Sequence, residues 1–299
     1  MVLHLCGSLC LALLQIGNSV AAPLSVVDDA GHIVNLDQPA RRIISLAPHV
    51  TELLYAAGAG DRIVGVAEFS DFPEAAKKLP RIGTHNAFDL EAILASKPDL
   101  VIAWESATPK ALLARLQSLS IAVFSSEPRL LEDVASNLQR LGRLAGTLTI
   151  ANRASAAFRR QLADLRAQYG NHEQVSVFYQ IWHQPLMTIN GEHIISQVIE
   201  LCGGRNVFHD LPVLAPRISL ESVLMNDPEV IIAGSSADHH SNWKAEWSRW
   251  PQLRAVKNGH LFYIHPDILQ RNTPRILQGA DLLCRQLAQV RAARDTAHQ

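Results

Sequence analysis

Two stretches of this chain carry the same phrase. Asp89–Trp104 reads DLEAILASKPDLVIAW, and Ser219–Gly234 reads SLESVLMNDPEVIIAG. At a constant offset of about 130 residues, the Leu, Glu, Leu, Pro, Ile and Ala positions coincide, and most others are conservative exchanges. In each copy an N-cap residue, Asp89 or Ser219, opens a short helix and a proline breaks it. A continuous apolar run follows at once. A chain that writes helix start, break and buried strand twice, a domain's length apart, is built from two equivalent α/β units.

The rest of the chain fits that plan. Short β-branched runs occur at Arg42–Ala47, Arg62–Ala67, Leu100–Trp104 and Ile121–Ser126, then at Val175–Ile181, Val230–Gly234 and His260–Ile264. Each has the pattern of a strand covered on both faces, and helical segments between them supply the crossovers that parallel strands need. The interval between the two sets is helical. Ile150, Ala154, Phe158, Leu162, Leu165 and Tyr169 fall on one face, while Arg153, Arg159, Arg160, Asp164 and Arg166 supply the polar one. Gly170-Asn171 is expected to end it in left-handed backbone. The expected architecture is therefore two Rossmann-like α/β lobes, residues 36–144 and 174–290, joined by one long rigid linker helix over 147–171.

Bulk properties exclude some functions. With 299 residues, 18% of them charged, a net charge of −1 and no basic run, nothing points to nucleic acid. Residues 1–22 carry an apolar run too short to span a bilayer comfortably, ending in the small residues of NSVAA. That reads as a signal peptide, although the start holds His4 and no Lys or Arg, and a buried N-terminal helix is the competing reading. Neither Cys6 nor Cys10 sits in a lipobox, so the mature protein is expected to be soluble and periplasmic. Cys202 and Cys284 then remain, either as one disulfide, which an exported chain favours, or as two buried thiols.

Glu91 and Glu221, third in each copy of the phrase, fall in the first turn of a helix, where the macrodipole favours a negative charge. That alone accounts for either one. As a matched pair in two equivalent lobes, they also suit a partner that is itself two-fold.

The segments RIISLAPHVTELLYAAGAGDRIVGVAEFSDFP, DLEAILASKPDLVIAW, SQVIELCGGRNVF and ISLESVLMNDPEVIIAG, with the helical stretch between the halves, resemble the helix-linked class of periplasmic binding proteins. That class serves ABC importers for cobalamin, haem and ferric siderophores, and the likeness is greatest to its cobalamin-binding members. It extends from about Arg42 to Leu287. The resemblance implies a ligand held between lobes that close little, and one glutamate per lobe docking on arginines of the two permease subunits. Glu91 and Glu221 match those positions. It also implies a disulfide between Cys202 and Cys284, and a monomeric carrier without cofactor.

Ligands of two-lobed α/β proteins sit at the carboxyl ends of strands. The residues there are His49, Phe69, His85, Trp104, Trp182, His183, Asp267 and Arg271. Aromatic rings offer stiff apolar faces for a large flat ligand, and Asp267 and Arg271 can hydrogen-bond its rim. The resemblance puts Phe69, Trp104, Asp267 and Arg271 on ligand-contacting positions. His85 and Ala215 stand where that group has tryptophans, with Trp182 a candidate replacement.

Each residue also has a plain structural reading. For Trp104 it is a strand-end aromatic that caps the core, and for Asp267 and Arg271, four apart, an i,i+4 pair on a helix surface. His49, His85, His183 and His265 all follow strands, so a haem or metal-chelate ligand is the alternative cargo. Asp238–His240 is too closely spaced to form a metal site and reads as a solvated loop. No nucleophile elbow, phosphate loop or zincin helix is present, so an enzyme is not expected.

Overall fold

The computed structural model describes residues 24–84, 87–235 and 242–297. The expected signal peptide at 1–22, His85 and Asp238–His240 lie outside the described residues.

Hydrophobic runs of the first half form one parallel sheet. After an antiparallel hairpin of β1 (Leu24–Val27) and β2 (Ile33–Leu36) come β3 (Ile43–Ser45) and β4 (Ile63–Val66). A two-residue hairpin, β5 (Gly83–Thr84) with β6 (Ala87–Phe88), precedes β7 (Leu100–Trp104) and β8 (Ala122–Ser126). The sheet order is β4-β3-β7-β8. The second half repeats it with β9 (Val175–Gln180), β10 (Gly204–Asn206), β11 (Val230–Ala233) and β12 (Leu261–Tyr263), ordered β10-β9-β11-β12. Both sheets are parallel throughout and share one order, so the lobes are doubly wound α/β units related by the sequence repeat.

The repeat is reproduced in backbone detail. Asp89 caps the helix Leu90–Ala95 by accepting from Ala92 N at 2.9 Å, and Ser219 caps Leu220–Asn226 by accepting from Ser222 N at 3.2 Å. Each copy then passes through a non-glycine residue in left-handed backbone, Lys97 at φ 44° and Asp227 at φ 40°. The acid after each proline ties the strand it opens to the neighbouring strand. Asp99 accepts from the backbone N–H groups of Arg41 and Arg42, and Glu229 accepts from Ser176 N. Short polar caps satisfy backbone N–H groups that the first turn of each helix leaves without an intrahelical partner.

One helix, Leu148–Tyr169, joins the lobes. Its buried face is Ala151, Ser155, Phe158, Leu162, Leu165 and Tyr169, so the first two turns differ from the sequence expectation. Ala151 takes the place expected for Ile150 because this helix lies against Leu131–Leu144 at Gly142, while Ala154 is partly buried against the main core. A Cβ on Gly142 would stand 2.1 Å from that of Ala151. Ile150 covers Gly58 instead, which at φ 81° needs glycine on backbone grounds as well. The helix ends without the expected left-handed residue: Gly170 has φ −71° and donates to Arg166 O at 2.9 Å. Ahead of Leu36, Val26 and Val34 of the first hairpin are buried in the main core, so structure belonging to the first lobe begins before the boundary read from the sequence.

The lobes also meet away from the linker. Leu131 N donates to Gln197 Oε1 at 3.1 Å, Gln197 Nε2 donates to Arg129 O, and Asn272 Nδ2 donates to Pro128 O at 2.7 Å. Cys202 and Cys284 are bonded to one another inside the second lobe, and both are fully buried. Among the described residues no helix is long and apolar enough to cross a membrane.

Candidate functional site

In each sheet the order reverses between the first and third strands, and the crevice beyond their carboxyl ends is where such folds bind ligands. In the first lobe that crevice lies between β3 and β7, and in the second between β9 and β11.

His49 follows β3 and Trp104 ends β7, and their rings meet edge to face with centroids 5.3 Å apart. His49 is buried, and its Nε2 is a buried atom with no hydrogen-bond partner among the described residues. Burial pushes its pKa down to about 4; Asp29 opposes that shift and Arg271 adds to it. The imidazole is therefore neutral at neutral pH. As pH falls from about 6.5 towards 4, the unfolded chain takes up a proton that folded His49 refuses, and stability drops by roughly 3 kcal/mol across that window. Urea titrations at several pH values are expected to show this slope in the native chain and lose it in His49→Gln.

Phe69, beyond β4, stands 73% exposed with φ 63°, a region that bulky residues rarely enter. A buried hydroxyl chain anchors the turn beneath it. Ser45 Oγ and Thr51 Oγ1 are 2.8 Å apart, Thr51 Oγ1 donates to Ser70 Oγ at 3.1 Å, and Arg81 Nη1 donates to Ser70 O at 2.9 Å. Phe72 is also exposed, and the guanidinium of Arg275 lies over its ring, 3.9 Å from the centroid.

From the second lobe, Trp182 follows β9 with an exposed ring whose Nε1 donates to Gln184 O at 3.0 Å. Val213 and Leu214 are exposed beside Ala215. A cavity of about 280 Å³ at the end of β9 is lined by Gln180, His183, Leu186, Glu246, Trp247 and Trp250. A roomier one of about 840 Å³ lies beside the first hairpin, but its walls carry acids and arginines such as Asp29, Glu127, Arg129 and Arg140 and no aromatic face. It does not suit a flat apolar ligand.

Asp267 and Arg271 do pair, with Oδ1 2.9 Å from Nη2, but the arginine reaches further than a surface pair would. It donates across the cleft to Glu52 Oε1 at 3.0 Å and to Asp71 Oδ1 at 2.8 Å. Arg275 joins it on Glu52, with Nε on Oε2 at 2.8 Å and Nη2 on Oε1 at 2.5 Å. Burial works against the charge on Arg271, and its bonds to Asp71 and Glu52, with Asp267 beside it, outweigh that and raise its pKa. Burial also works against the Asp71 carboxylate, but the Arg271 bond and charge leave its pKa lowered.

Glu52, Asp71, Phe72 and Arg275 were not identified from sequence. A signal for Glu52 was there, as the lone charge on the buried face of the helix Pro48–Ala56. Arg275 follows Arg271 at the interval by which Arg271 follows Asp267.

The histidines serve separate purposes. His183 Nε2 lies 2.9 Å from Glu246 Oε2, and His265 Nδ1 accepts from Asp267 N at 3.2 Å to start the helix Pro266–Leu269. Among the described residues, no group of three or more His, Cys, Asp or Glu is placed to hold a metal ion.

Glu91 and Glu221 are exposed in the first turns of their helices. A crossover helix runs back against its strands, so both glutamates lie towards the strand carboxyl ends, on the side of each lobe where the crevice opens. Its own backbone N–H and the Ser219 hydroxyl hold the Glu221 carboxyl below its ordinary pKa.

Two like-ordered parallel lobes, bridged by one helix and facing each other with aromatic rings and a few polar groups, define a two-lobed solute-binding protein. The chain belongs to the periplasmic binding protein family, whose model matches residues 43–268. It is similar to the vitamin B12-binding protein of Vibrio cholerae serotype O1 (strain ATCC 39315 / El Tor Inaba N16961), with 39% identity over 247 residues, 82% of this chain and 88% of that one. The crystal structure of the periplasmic vitamin B12 binding protein BtuF of Vibrio cholerae matches with a TM-score of 0.78 at 38% identity, covering 85% of this chain and 98% of that one. The periplasmic heme binding protein HutB of Vibrio cholerae matches with a TM-score of 0.73 at 22% identity, over 82% and 98% of the two chains, a likeness of fold alone.

Proposed function

We propose that this protein captures cobalamin or a related corrinoid between its lobes and delivers it to the two-fold permease of an ABC importer. The observation that carries this reading is the extent of similarity to vitamin B12-binding proteins, which runs through both lobes and the linker. The exposed rings of Phe69 and Trp182, with Trp104 at the end of β7, supply faces for a corrin ring, and Asp267 and Arg271 supply polar groups for its amide rim. The chain acts by holding a ligand, and no resident cofactor enters the reading. It is exported, loses residues 1–22, and works as a monomer in the periplasm, docking through Glu91 and Glu221.

Haem is the second reading, suggested by the histidines that follow strands. It would draw on His49, His183 or His265 for the iron, yet His49 is buried behind the edge of Trp104, and His183 and His265 are engaged with Glu246 and Asp267. Calorimetry on the mature chain against cyanocobalamin, cobinamide, haem and a ferric siderophore separates the two. Saturable one-to-one binding of cyanocobalamin and cobinamide is expected. A Soret shift on adding haem, with no heat from cyanocobalamin, would overturn the corrinoid assignment.

A further inference from the structure

We propose that Glu52 is the positioning residue of the cleft: the permanent counter-ion of Arg271, with Asp71 the exchangeable one. The three carboxylates around this guanidinium differ sharply in exposure. The Glu52 side chain is 2% exposed, Asp267 29% and Asp71 44%. Glu52 belongs to the first lobe, on the helix Pro48–Ala56, and Arg271 and Arg275 belong to the second. Glu52 takes two hydrogen bonds from Arg275 and one from Arg271, so one buried carboxylate fixes both guanidinium groups across the lobe boundary.

Removing either member of such a set leaves a buried charge without compensation, whereas a water-exposed acid can let go at little cost. A ligand rim arriving at Arg271 therefore displaces Asp71 and leaves Glu52 in place. The arginine keeps its charge balanced while it changes partner. The same clamp holds the aromatic loop of the first lobe. Arg271 also reaches Phe69 O at 3.4 Å, and Arg275 covers the Phe72 ring. The posture of Phe69 thus depends on residues of the opposite lobe, which couples the apolar and polar ends of the cleft.

This role rests on the corrinoid reading for the identity of the ligand, but its effect on the loop does not. Two measurements test it. In calorimetry with cyanocobalamin, Glu52→Gln is expected to weaken binding at least about tenfold, whereas Asp71→Asn, which removes a competitor for Arg271, leaves it equal or tighter. In an Arg271→Ala background Asp71→Asn has no further effect, and Glu52→Gln, left with Arg275 as its one partner, costs less than in the native chain. A generic loss of packing would instead give same-sign effects that persist without Arg271, and that pattern overturns the proposal.

By hydrogen exchange on the ligand-free protein, Glu52→Gln and Arg275→Met are expected to speed exchange at Ser70 and Asp71 about tenfold or more. Unchanged exchange there overturns the proposal whatever the ligand proves to be. If Glu52→Gln fails to fold, Arg275→Met, which keeps Glu52 paired with Arg271, serves in the exchange measurement with the same expected direction, and Asp71→Asn carries the binding measurement. If the native chain does not bind cyanocobalamin, the cargo assignment falls and the exchange result alone decides the role of Glu52.

Discussion

Uptake of cobalamin by cells that carry Glu91→Lys together with Glu221→Lys is expected to fall to background, a loss of more than about 100-fold. Ligand affinity of the purified double variant is expected to match that of the native chain. The two expectations belong together because of where the glutamates lie. Both are exposed in first helical turns, and neither contributes to the Glu52, Arg271 and Arg275 network within the cleft. Their helices are capped by Asp89 and Ser219, so reversing the neighbouring charge leaves the caps intact. A partner with two-fold symmetry meets the same carboxylate twice, and two lysines would face two like charges. Each single reversal is expected to retain partial uptake, since one of two equivalent contacts survives. Uptake assays with labelled cyanocobalamin, paired with calorimetry, check both. Loss of ligand affinity in the double variant, or uptake that persists, would remove docking from the account of these residues.

How far the sequence could be read depended on where each interaction begins and ends. Elements built from local patterns were legible: β3, β4, β7, β8, β9, β11 and β12 all coincide with continuous apolar runs. β10 was not, because an edge strand spelled Gly-Arg-Asn has no apolar run to reveal it. The long helix was legible in period but not in its first turn, where contact with Gly142 favours Ala151 over Ile150.

The candidate site divides in the same way. Strand-end aromatics such as Trp104 follow from topology alone, since a parallel sheet fixes which residues reach the crevice. Glu52 and Arg275 are partners across more than two hundred residues of chain, and only folding brings them together. Asp267 and Arg271 illustrate the limit. The spacing correctly suggested a pair, but not that the arginine would spend its other donors on the opposite lobe.

Breaking the bond between Cys202 and Cys284 is the change with the largest expected effect on stability. The cysteines lie 82 residues apart, and a cross-link of that span removes loop entropy from the unfolded chain worth about 4 kcal/mol. Cys202 follows the helix Ile194–Leu201, and Cys284 lies within the final helix, Ile276–Ala297. The bond therefore fastens the last element of the second lobe to the region that carries β9 and β10. Because both sulfurs are fully buried, Cys202→Ala with Cys284→Ala exchanges one apolar filling for another and leaves only a small void, so the main term is the lost cross-link. For a chain of this size the apparent Tm is expected to fall by roughly 10 °C. Reducing the native protein should give a similar shift, since it removes the same constraint. The final helix begins immediately after Arg275, so the looser lobe is also expected to hold the guanidinium pair less firmly. Cyanocobalamin affinity would then fall by less than about tenfold, less than in Glu52→Gln, which takes the shared buried carboxylate from both guanidinium groups. Calorimetric melting of the native, reduced and double-alanine forms, with and without ligand, reads both effects. An unchanged Tm in the double-alanine variant would mean that the cross-link contributes nothing to holding this lobe together.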